Sequence, residues 1–206
     1  MLRFLQYPSG FLALIAVLVA ACATPQPDTV WKDPAYQERP GKIMVIGVAK
    51  SPVNRRIFED EFVRQLNAHG TEAIASYTVI PDRQQDDQAA IAAKVAQLGA
   101  DTVLITRMVS KRTMQIYVPG TTYYPPAHYG KWPDYYGHGY RAVHTPGYIS
   151  EEEFAVIETN LYEAGNDNLV WAASSETGMQ GPDQDRIKSY IGIMVSAMAA
   201  QGLLGR

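Results

Sequence analysis

Residues 42–70 read KIMVIGVAKSPVNRRIFEDEFVRQLNAHG, an apolar run followed by an amphipathic one. The first part, Lys42-Ile-Met-Val-Ile-Gly-Val48, is flanked by Gly41 and carries Gly47, and its unbroken apolar character suits a strand covered on both faces. Ser51 is placed to cap a helix and Pro52 fits the first helical position, where its missing N–H costs nothing. Ile57, Phe58, Phe62, Val63 and Leu66 then form one apolar stripe at helical spacing, and Gly70 supplies the stop. Arg55, Arg56, Glu59, Asp60 and Glu61 read as exposed pairs at i,i+4 spacing, such as Arg56–Asp60. His69 sits at the helix end, where a cation suits the dipole.

Working outward, Glu72–Tyr77 predicts a short strand, and Val79-Ile80-Pro81 turns the chain. Asp87–Leu98 predicts a helix with Ile91, Val95 and Leu98 on one face and Gly99 beyond it. A third strand starts at Asp101-Thr-Val-Leu-Ile-Thr106 and continues through Met108–Val118. Glu152–Glu163 and Leu169–Glu176 predict a hairpin about Gly165-Asn166-Asp167-Asn168, since Gly and Asn tolerate positive φ. The final helix is expected from about Asp183 to Gln201, with Ile187, Ile191, Met194 and Met198 facing inward and Gly202 as its stop. The order β-α-β-α-β-β-β-α predicts an α/β (α+β) fold, a two-layer sandwich of a mixed sheet of about five strands and three helices.

The N-terminus is organised differently. Arg3 precedes the uncharged run Phe11–Ala21, too short for a bilayer span, which needs roughly 20 residues. Its proportions are those of a secretory leader, and Val19-Ala20-Ala21-Cys22 resembles the lipobox of bacterial lipoproteins. That resemblance implies cleavage between Ala21 and Cys22, a diacylglyceryl thioether on Cys22 and an acylated new N-terminus, hence anchoring in a lipid bilayer. Several chains at ~0.8 kcal/mol per buried methylene hold far more firmly than one. Ala23 is not the aspartate that retains such proteins at the inner membrane, which implies the outer membrane, facing the periplasm. Residues 22–40 hold four prolines after the cysteine and read as an extended tether. Trp31 would pack the end of that tether onto a single globular domain, residues 41–206.

Composition narrows the function. The leader holds one of the 18 Lys and Arg residues and none of the 21 Asp and Glu residues, so the mature chain carries 17 against 21, a net charge of −4. It has no basic run, which argues against nucleic acid as a partner. Cys22 is the only cysteine; once acylated it leaves no thiol for a disulfide, a metal or a nucleophile.

The strings Trp31-Lys-Asp-Pro34, Lys42-Ile-Met-Val-Ile-Gly47, Arg56-Ile-Phe-Glu-Asp-Glu-Phe62, Ser76-Tyr-Thr-Val-Ile-Pro81 and Gly99-Ala-Asp-Thr-Val-Leu-Ile-Thr-Arg107, in this order and spacing, resemble a family of uncharacterised bacterial lipoproteins that carry a domain of unknown function. The resemblance covers residues 25–110 and, more loosely, the final hairpin and helix. It implies a fold similar to the N-terminal domain of TolB and the core of the curli-secretion lipoprotein. Such domains serve as envelope assembly or regulatory parts, and the resemblance implies no catalytic residues.

Residues 119–148, PGTTYYPPAHYGKWPDYYGHGYRAVHTPGY, stand apart from the rest. They hold five prolines, seven of the 13 tyrosines and three of the four histidines. A connection of this length is functional or mobile as a rule. Tyrosine gives rigid amphipathic area at low entropic cost, so Tyr123, Tyr124, Trp132, Tyr135, Tyr136 and Tyr140 are the candidate partner-binding residues, held out of regular structure by proline and glycine. His128, His138 and His144 match no ligand spacing, so no metal is expected. Glu151, Glu152 and Glu153 point alternately along a strand and read as a solvated face. No G-x-S-x-G elbow, P-loop or H-E-x-x-H pair occurs, and Gly137-His-Gly139 lacks the strand and helix of a dinucleotide site. The expected function is a non-enzymatic envelope lipoprotein that binds or scaffolds envelope proteins, without cofactor. The alternative is a carbohydrate- or peptidoglycan-binding lipoprotein that uses the aromatic insertion.

Overall fold

The computed structural model describes residues 26–123 and 143–205. Six strands form one mixed sheet in the order β1-β8-β7-β4-β2-β3. They are β1 (Thr29–Lys32), β2 (Lys42–Val48), β3 (Glu72–Ala75), β4 (Thr102–Val118), β7 (Tyr148–Glu163) and β8 (Leu169–Gly178). The helices are α1 (Pro52–Ala68), α2 (Gln88–Leu98) and α3 (Asp183–Ala200). β2 runs parallel to β3 and β4, whereas β4, β7, β8 and β1 are antiparallel in succession. The expected mixed sheet with three helices is therefore present.

Local chemistry places the helices. The Ser51 hydroxyl accepts from Asn54 N, and Pro52 opens α1. Asp87 caps α2 through Ala90 N, and Gly99 closes it at φ 63°, a conformation that costs a residue without Cβ little. Side-chain alternation along the central strands feeds two cores. Ile43, Val45 and Leu104 join Phe62, Leu66, Trp171, Ile191 and Met194 under α1 and α3. Met44 and Ile46 point the other way, to Ile80 and Val95 of the α2 side. The sandwich with α1 and α3 is thus the main body, and α2 closes the reverse face only at the parallel end. Among the described residues no helix is long and apolar enough to cross a membrane.

Four expectations need correction. Thr29–Lys32, read as tether, is a strand that pairs with β8 and brings the sheet of about five strands to six. Asp28 fixes that strand by accepting from Glu176 N at 2.6 Å, and Asp33 N donates to Val170 O. The next element is shorter than predicted, since Ser76–Thr78 leaves β3 as a 3₁₀ turn. Positive φ in the β7–β8 turn falls on Asp167, at 58°, not on its glycine or asparagines. Finally, the insertion is not all irregular: β5 (Thr121–Tyr123) and β6 (Val143–Thr145) pair as a small separate sheet.

Candidate functional site

Three features meet where the strands leave the helix layer. The first is a buried charge cluster. Arg55 and Glu59, 1% and 0% exposed, were expected at the surface. Their spacing from Phe58, Phe62 and Leu66 puts them on the inward stripe, a signal present in the sequence. Arg55 donates to Glu59 Oε1 at 3.0 Å, to Ser76 Oγ at 2.8 Å and to Asp82 Oδ1 at 3.1 Å. Glu59 also accepts from Gly47 N at 3.0 Å, Ser76 Oγ at 2.8 Å and Tyr77 N at 2.8 Å. Arg55 and Glu59 are each paired, so the cluster ties β2, α1 and the turn after β3 together. Arg56 completes it from outside, bonding Asp82 at 2.9 Å and lying over the Tyr77 ring. The Tyr77 phenol, which donates to Asp60, is pushed above its usual pKa by that bond.

The second feature is a cleft of about 180 Å³ between the first turns of α1 and α3 and the sheet. Phe58, Met108, Ile157 and Ile187 line it, with Arg107 and Arg186 among its polar residues. On its floor Tyr190 shares a hydrogen bond with Thr159 at 2.7 Å, and Thr159 shares one with Thr106 at 2.8 Å. Burial pushes the Tyr190 phenol far up, so it stays protonated at neutral pH. Pockets for drug-sized ligands run to roughly 300–1,000 Å³, so this cleft is below that size.

The third feature is a ribbon. β2 leaves the edge of β4 at Arg107, and β8 leaves β7 at Phe154, but β4 and β7 continue together to Val118 and Tyr148. Beyond Thr113 they project as two strands with no described third, for about 16 Å at ~3.3 Å per residue. Met114, Ile116, Tyr117, Tyr148 and Ile149 are exposed on it, Tyr117 to 67%. Pro119-Gly120 then lies beside Pro146-Gly147, between the ribbon and the small sheet. The two chains come so close here that a Cβ on Gly120 would stand 2.7 Å from Gly147 N and Thr145 O, so glycine is required.

Of the predicted site residues, only Tyr123 lies in a described element, where its backbone pairs with Val143. Ala21, Cys22, Tyr124, Trp132, Tyr135, Tyr136 and Tyr140 lie outside the described residues, as do His128 and His138. Trp31 is half exposed at 47%, on the strand that joins the sheet. His69 caps α1, with Nδ1 3.4 Å from Gly205 O. Gln115 donates to Glu151, while Glu152 and Glu153 stand in the ribbon opposite Met114 and Thr113.

No family model and no curated protein matches the chain. Several solved structures resemble it distantly. PelC of Paraburkholderia phytofirmans, solved as a dodecamer, is 14% identical with a TM-score of 0.44, over 86% of this chain and 98% of that one. Lipoprotein GNA1162 of Neisseria meningitidis is 14% identical with a TM-score of 0.41, over 79% and 97%. A minor lipoprotein of Acinetobacter baumannii is 9% identical with a TM-score of 0.34, over 80% and 96%. Two of these three are lipoproteins by name. No residue role is carried over from these likenesses.

Proposed function

We propose that this chain is a lipoprotein of the bacterial envelope, anchored through acylated Cys22 at the outer membrane, that binds other protein as a non-enzymatic scaffold component. The observation that carries this reading is the ribbon: two strands run beyond their sheet with large apolar side chains in solvent, a cost a soluble domain avoids unless the surface is used. A tether that ends at Asp28, where the sheet starts, would keep the domain close to the bilayer.

Photo-crosslinking amino acids at Tyr117 and Tyr148 test it in intact cells. Protein adducts are expected from both, and none from the same group at Lys94 on α2. Retention on isolated sacculi without protein adducts would replace this reading with the glycan one.

A further inference from the structure

Strand edges in this fold differ in how they are protected. The two sheet edges proper, β1 and β3, are four residues each, too short to template another chain well. The outer edge of β4 beyond Arg107 is long, and no described strand pairs with it. Its inner half is guarded by an irregularity between Met108 and Ser110 and by the charges of Lys111 and Arg112. Both are devices that discourage strand addition. The outer half, Thr113-Met-Gln-Ile-Tyr-Val118, has neither. It holds no charge and no proline, its ladder to β7 is regular, and its residues favour strands.

Taking the ribbon as the binding surface, we propose that Met114–Val118 pairs edge to edge with the same segment of a second copy of this chain, about a two-fold axis at Ile116. The sheet would then continue as β7-β4-β4-β7 across two molecules. In this antiparallel register Ile116 faces Ile116, Met114 faces Val118 and Gln115 faces Tyr117. The face bearing Met114, Ile116 and Val118 becomes one apolar seam. Lys111 and Arg112 lie outside the paired stretch, so like charges are not opposed. The other ribbon edge is better guarded: Tyr148–Glu153 carries three consecutive carboxylates, Glu151, Glu152 and Glu153, and charges on an edge discourage strand addition. Self-pairing is thus favoured at the uncharged edge, and a two-fold closes the assembly without leaving that edge free.

Light scattering on the detergent-solubilised mature chain, corrected for bound detergent, reads the outcome. Wild type is expected as a dimer. Ile116→Lys, which sets two ammonium groups face to face, should give a monomer with an unchanged melt. Ile149→Lys on the other strand of the ribbon should leave the dimer. In a Cys22→Ser chain, Ile116→Cys should form a disulfide-linked dimer on oxidation. A monomeric wild type overturns the pairing, as does a dimer that survives Ile116→Lys or is lost equally with Ile149→Lys. If the chain is monomeric while Tyr117 still crosslinks to another envelope protein, self-pairing fails and the wider binding reading stands. If neither occurs, both fail.

Discussion

Arg55 and Glu59 show how much one helical phase decides. An ion pair removed from water contributes little by itself, since desolvation consumes most of its attraction, but removing one partner strands the other. Arg55→Met should therefore cost about 3–5 kcal/mol, read by chemical denaturation. Adding Glu59→Leu should recover much of that loss. A single variant within 1 kcal/mol of wild type, roughly the range of exposed pairs, would show the cluster to be hydrated. The sequence held this information, because residues 55, 58, 59, 62 and 66 share one face. Charge type alone misled, since charged residues are seldom fully buried unless paired, and the pairing depends on Ser76 and Asp82, which are remote in sequence. Tyr36 belongs at the same scale. Burial first, then the negative charges of Asp101, Glu38 and Glu163, push its phenol to about 12. The unfolded phenol ionises near 10, so unfolding releases a proton between those values, and stability falls as pH rises through that window. Tyr36→Phe should flatten the decline in denaturation midpoint between pH 10 and 12. An unaltered slope would remove Tyr36 as its source.

Elements were legible where periodicity and caps agreed. α2 lies within a residue of its prediction because Asp87, Ile91, Val95, Leu98 and Gly99 all mark the same helix. α3 was legible through Ile191, Met194 and Met198, all fully buried. Ile191→Asp should bury an unpaired carboxylate under the sheet at a cost of several kcal/mol, enough to unfold a domain stable by ~5–15 kcal/mol. A melt within a degree or two of wild type would mean that Ile191 does not face the core. β1 was hidden because four residues among prolines carry almost no pattern; its strand character comes from the β8 edge it covers. The ribbon was half visible. Alternation through Met108–Val118 predicted the strand, but nothing local distinguishes a strand that stays in the sheet from one that leaves it. That is decided by where β2 and β8 end.

At the scale of the whole molecule, a lipid anchor at Cys22 and binding through the ribbon are the two proposals to test. Palmitate labelling should depend on Cys22, and Cys22→Ser should leave an unprocessed or soluble chain; label entering that variant would refute the anchor. Sucrose-gradient fractionation should place the protein with outer-membrane markers rather than inner-membrane ones. The central claim is that the ribbon serves binding and contributes nothing to the fold. Thr113 and Glu153 are paired residues at its base, so Met114–Glu152 can be replaced by Asn-Gly, a turn suited to a tight hairpin. Thermal melting and photo-crosslinking of this shortened chain, with the photo-crosslinking group at Lys111 beside the cut and wild type carrying it at Lys111 in parallel, give the most direct test. The account predicts a melting temperature within a few degrees of wild type and complete loss of protein adducts. A chain that no longer folds, or one that still captures its partners, would contradict it.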